Sequence, residues 1–177
     1  MIRRLGCALA ISGTLLLSGC TSPDHPTFNS YEGGYRLDSD GGLVVWMGAG
    51  CQGVRSVTYD LVDADGTTYD SWRITSTSPD GAPLTSLTLG RAPDGFRAAD
   101  PLESDWRDAD SHGILLRTRT DQTSAHLDVP SFLAEADERD SGEWYVPDQG
   151  WHTQAEYRDE LVGGENSDIY PLCRIRG

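Results

Sequence analysis

From Tyr35 onward, apolar positions recur mostly at every second residue. Leu43-Val44-Val45-Trp46-Met47 is a short continuous apolar run, the pattern of a buried strand. Val57-Thr58-Tyr59-Asp60-Leu61 alternates apolar and polar, as a half-buried strand should, and Tyr69-Asp70-Ser71-Trp72-Arg73-Ile74 is placed to pair with it antiparallel. Further short strands are predicted at Leu87-Thr88-Leu89, Ile114-Leu115-Leu116-Arg117-Thr118, His126-Leu127-Asp128-Val129 and Glu143-Trp144-Tyr145-Val146. Turn signals separate them: Ala64-Asp65-Gly66, Pro79-Asp80-Gly81 and Pro93-Asp94-Gly95. Proline presets φ and glycine accepts φ > 0, so Pro-Asp-Gly suits a tight turn. This spacing predicts a mainly β chain, an antiparallel β-sandwich of Ig-like or related type.

Two segments switch to helical periodicity. Ser131 is the expected cap of a short helix running to about Arg139. Thr153-Gln154-Ala155-Glu156 has the form of a capping box, and Tyr157 and Leu161 fall four apart on one face of the C-terminal helix it would start. Gly163-Gly164 supplies the stop, and Ile169-Tyr170-Pro171-Leu172 leads to Cys173.

The N-terminus follows a different rule. Arg3 and Arg4 precede an apolar run from Leu5 to Leu17 that ends in small residues before Cys20. A spanning helix needs roughly 20 apolar residues, so this shorter run reads as a signal peptide. Leu17-Ser18-Gly19-Cys20 resembles the lipobox of bacterial lipoproteins, where signal peptidase cuts before the cysteine and the thiol carries a diacylglycerol. The resemblance implies a signal peptide over 1–19 and lipidation at Cys20. It also implies an anchor on the outer face of the cell membrane through that lipid. Residues 20–34, rich in Pro, Ser and Gly, are then a flexible tether, and 35–177 the extracytoplasmic domain. Lipobox, short β-rich domain, late capped helix and closing cysteine together are similar to uncharacterised lipoproteins of GC-rich Gram-positive bacteria.

Charge narrows the partners. The chain has 14 Arg, no Lys and 28 acids; removal of 1–19 takes two arginines and no acid, leaving −16. Such a surface repels nucleic acid and anionic headgroups and keeps a tethered domain soluble. Of the four cysteines, Cys7 leaves with the signal and Cys20 takes the lipid. Cys51 and Cys173 are expected to pair in an oxidising compartment. Closing so long a loop restricts the unfolded chain by roughly 4–5 kcal/mol.

Candidate chemistry is sparse. Asp63-Ala64-Asp65-Gly66 matches part of a calcium loop, but Leu61 and Trp72 stand where key acidic ligands belong, so a hairpin turn is the better reading. Asp105, Asp108, Asp110 and His112 form the densest polar cluster, read as a solvated loop with a competing role in ligand binding. His25, His112, His126 and His152 show no metal-ligand spacing, no Gly-x-Ser-x-Gly elbow occurs, and the absence of lysine removes Schiff-base chemistry. No catalytic residue, metal or cofactor is assigned. Trp46 and Trp72 are expected in the core, whereas Trp106 and Trp151 fall in predicted loops and are the candidate ligand-binding aromatics. The expected role is non-catalytic binding of an envelope protein or ligand. The competing classes are a sugar- or metal-binding module and an envelope hydrolase with a dispersed site.

Overall fold

The computed structural model describes residues 31–139, 142–162 and 170–171. The described residues begin with β1 (Tyr31–Glu32), β2 (Gly34–Leu37), β3 (Leu43–Val54), β4 (Ser56–Val62), β5 (Thr68–Ser76), β6 (Ala82–Thr88) and β7 (Phe96–Ala98). A 3-10 turn at Trp106–Asp108 leads to β8 (Ser111–Arg117), β9 (Gln122–Asp128) and helix α1 (Val129–Ala136). After it come β10 (Glu143–Val146), β11 (Gly150–Thr153), the one-turn α2 (Gln154–Glu156) continuing as a π-helical turn (Tyr157–Val162), and β12 (Tyr170–Pro171). The molecule is mainly β, with two five-stranded antiparallel sheets: β11-β10-β2-β3-β6 and β7-β5-β4-β8-β9. β1 and β12 form a separate parallel pair.

β3 joins the two sheets. It is a 12-residue strand whose pairing with β6 shifts register between Trp46 and Cys51 and again between Cys51 and Val54. Gly48 and Gly53 take φ of 75° and 64° in this stretch, conformations that L side chains rarely adopt. The strand therefore bends without ending. One residue later, Arg55 N–H donates to the Arg117 carbonyl and its own carbonyl accepts from Ser76 N–H, both at 2.8 Å. The chain thus passes from one sheet into the other with a single-residue break.

Alternation on each strand builds the core. Tyr35, Leu43, Val45 and Met47 of the first sheet share one buried cluster with Val57, Tyr59, Leu61, Trp72, Ile74, Ile114, Leu116 and Leu127 of the second. Val129, Phe132 and Ala136 of α1 join that cluster. The intervening residues of β3 and β10 face the other way, since successive strand residues point to opposite sides. Val44, Trp46, Trp144 and Val146 pack there under Tyr157 of the π-helical turn. The Trp46 ring meets Tyr157 edge-on at 4.8 Å and lies 5.5 Å from Trp144. Gly34 runs beneath them, where a Cβ would approach both tryptophans to 3.0 Å.

Several local expectations change. Asp128, not Ser131, caps α1: its side chain accepts from Ser131 N–H at 2.8 Å, and the helix spans 129–136 rather than reaching Arg139. Pro130 explains the shift, because proline fits the first turn of a helix, where no N–H partner is needed. The capping box at Thr153 and Glu156 forms as expected, but α2 is three residues long before it widens into the π-helical turn. Gly163-Gly164 lies outside the described residues. Among the described residues, Tyr31–Glu32 and Gly34, within the stretch read as tether, lie in strands, where β1 pairs with β12.

Candidate functional site

Turn chemistry shapes one wall of a cleft. The β2–β3 hairpin is closed by Asp38, whose Oδ1 accepts from Gly42 N–H at 2.7 Å and Asp40 N–H at 3.0 Å. Gly41, at φ 76°, supplies the left-handed residue that this turn requires. Arg107 Nη2 donates to the Gly41 carbonyl, fixing the 3-10 turn against the hairpin. Opposite stand Ala136, Asp137 and Arg139 at the end of α1, and Trp151 of β11. The cleft encloses about 390 Å³, and Arg36, Leu37, Asp38, Ser39 and Gly41 complete its lining.

An aromatic stack supports the floor. Trp151 lies 5.7 Å from Phe132 with the rings nearly parallel, and 5.5 Å from Tyr145. Phe132 in turn contacts Trp106 at 6.4 Å. Three tryptophans carry an arginine within cation–π distance of the ring, Arg36 over Trp144 at 4.3 Å, Arg107 over Trp106 at 4.5 Å and Arg139 over Trp151 at 5.5 Å, and of these Trp151 lines the cleft. Arg139 also bonds Glu135 at 2.6 Å on the exposed side of α1. The Trp151 indole N–H is buried with no hydrogen-bond partner.

The structure separates the acidic cluster read from sequence. Asp105 caps the 3-10 turn by accepting from Arg107 N–H at 3.0 Å, while Asp108 and Asp110 are exposed. His112 is not in the loop: it begins the buried face of β8 and is 0 % exposed. Trp106, expected at the surface, is 7 % exposed and belongs to the core. The cause is the 3-10 turn, which folds the loop back so that Trp106 covers His112 at 5.7 Å between ring centres. Among the described residues, no three His, Cys, Asp or Glu side chains come together to hold a metal ion. Asp63 does form a hairpin turn, accepting from Asp65 and Thr67 N–H at 3.1 and 2.8 Å. Trp151 is the one sequence-nominated aromatic that lines the cleft.

His112 is buried and satisfied. Its Nε2 lies 2.9 Å from the Trp106 carbonyl oxygen, which can only accept, so Nε2 carries the proton. Nδ1 then accepts from the Tyr59 hydroxyl. Burial pushes the imidazole down from 6.5 to about 4; the Trp106 carbonyl opposes this shift and nearby His126 adds to it. Burial, with a smaller contribution from Tyr35, holds the Tyr59 phenol well above its ordinary value. A neutral imidazole with both nitrogens occupied is a packing group, not a base poised for a substrate.

Arg36 and Arg139 went unnominated in the sequence. Over a hundred positions separate them, and their meeting depends on α1 docking beside β2. Cys51 is buried at 1 % exposure on β3, whereas Cys20 and Cys173 lie outside the described residues. No helix among the described residues is long and apolar enough to cross a membrane. No protein-family model, no curated protein and no solved structure matches this chain.

Proposed function

We propose that this chain is a lipid-anchored domain of the bacterial cell envelope that binds a ligand non-catalytically in the cleft between the β2–β3 hairpin, α1 and β11. The cleft carries the reading. It presents an aromatic side chain, two guanidinium groups and turn-forming polar residues in a volume suited to a small molecule, since such sites run from roughly 300 to 1,000 Å³. The occupied nitrogens of His112 favour binding over hydrolysis. The metal alternative loses its sequence basis with the dispersal of Asp105, Asp108, Asp110 and His112. The sugar alternative keeps one of its two aromatics, since Trp151 lines the cleft beside polar groups whereas Trp106 is buried.

The anchor rests on Leu17-Ser18-Gly19-Cys20. The finer architecture is a β-sandwich, supported by one core that takes buried residues from both sheets. It is closed by a Cys51–Cys173 disulfide. Supporting that bond, Cys51 is buried on β3 and β12 ends two residues before Cys173.

Two measurements test the function. The full chain expressed in a Gram-positive host should fractionate with membranes, and Cys20→Ala should release it; retention of the variant would refute the anchor. A thermal-shift panel of cell-wall oligosaccharides, Ca²⁺ and Zn²⁺ should show a saccharide shift that Trp151→Ala abolishes. A ligand at 100 times its Kd adds about 2.7 kcal/mol. A shift that survives Trp151→Ala would place the ligand elsewhere.

A further inference from the structure

The cleft's charge composition points to a ligand class. We propose that it takes an oxyanion, a carboxylate or phosphate, borne by a small hydroxyl-rich molecule, with Arg139 as the principal contact. This rests on the cleft being the binding site. The chain carries twice as many acids as arginines, yet Arg36 and Arg139 both line this one cleft and Arg107 braces its hairpin. All three guanidiniums lie within cation–π distance of indole rings. A planar guanidinium restrained by such a contact loses less entropy when its fork meets an oxyanion.

Asp38 and Asp137 line the same cleft, so it presents both signs of charge side by side. Asp38 Oδ1 accepts two hairpin N–H groups and keeps its negative charge on the lining. The Arg139–Glu135 pair is exposed on both sides, so a ligand oxyanion competes directly with Glu135 for the Arg139 guanidinium. Asp137, also on the lining, offers an acceptor for ligand hydroxyl groups. An oxyanion set beside hydroxyls satisfies both signs of charge in the cleft, which a neutral sugar does not.

The test uses three hexoses that differ in one substituent: glucuronate, glucose 6-phosphate and glucose. Each is titrated calorimetrically into the full chain in detergent. Glucuronate or glucose 6-phosphate should bind at least about tenfold more tightly than glucose, the scale of one charge-assisted hydrogen bond. Preference between the two separates a carboxylate site from a phosphate site. Arg139→Gln should abolish that preference, and Arg139→Lys, which keeps the charge and loses the fork, should retain part of it. Unchanged circular dichroism of both variants excludes misfolding as the cause. Equal binding of glucose and the anions, lost in Trp151→Ala, would overturn the oxyanion and leave the cleft intact. Anion binding unaffected by both Arg139→Gln and Trp151→Ala would overturn both, and no anion binding at all would overturn the oxyanion.

Discussion

His112 and Gly81 show what single residues decide here. Burial, with a smaller contribution from His126, keeps His112 neutral against the opposing pull of the Trp106 carbonyl, so its pKa falls to about 4. The unfolded chain protonates near 6.5, and between these values it binds the extra proton. The resulting stability is therefore complete above pH 6.5 and declines as pH falls toward 4. A shift of this size is worth about 3 kcal/mol. Urea unfolding at pH 7 and pH 4.5 should show the loss, and His112→Gln should flatten the pH dependence over that window. An equally steep profile in the variant would assign the loss to carboxylates. Gly81 ends the Pro79-Asp80-Gly81 turn at φ +86°, and a Cβ there would come within 2.4 Å of the Gly53 backbone. Backbone cannot yield as a side-chain tip can, so Gly81→Ala should cost about 2–4 kcal/mol by calorimetry. A loss below about 0.5 kcal/mol would show that the turn relaxes freely.

At the scale of elements, α1 connects the core to the cleft. Its buried face holds Phe132 beneath Trp151, and its C-terminal end presents Asp137 and Arg139. Helix placement starts with Asp128, whose carboxyl sits below its ordinary value because the Ser131 side chain and N–H both bond it. Removing such a cap costs about 1 kcal/mol. Asp128→Ala should therefore lower stability by that amount and weaken ligand binding in the cleft more than an exposed change such as Asp121→Ala. Equal binding by both variants would show that Arg139 is positioned independently of the cap. The existence of most elements was legible from alternation and turns: the strands at 57–61, 69–74, 114–118 and 143–146, and the capping box at Thr153, all correspond to observed elements. The far half of β3 was not, because Gly48, Gly50 and Gly53 read as breakers. The structure uses two of them as left-handed residues at shifts in register. Likewise β1, β7 and β12, of two or three residues, are too short to show a period.

At the scale of the whole molecule, long-range ties dominate. β3 and β4 carry the chain from one sheet to the other, and β1 pairs with β12 from the opposite end of the sequence. A Cys51–Cys173 disulfide would reinforce the same closure. Non-reducing peptide mass mapping should recover that linked pair, and reduction should cost roughly 4–5 kcal/mol less any native strain. Two free thiols would refute it.

Alternation and turn residues are local signals, and local sterics set them, so the sequence by itself determined the mainly β class, most strand positions and the capped C-terminal turn. Burial and convergence are not local. Trp106 and His112 read as loop residues until a 3-10 turn folded one over the other, and Arg36 and Arg139 share a cleft only because α1 packs on the same core as β2. Those relations arise from burying apolar surface common to distant segments, which no short window of sequence contains.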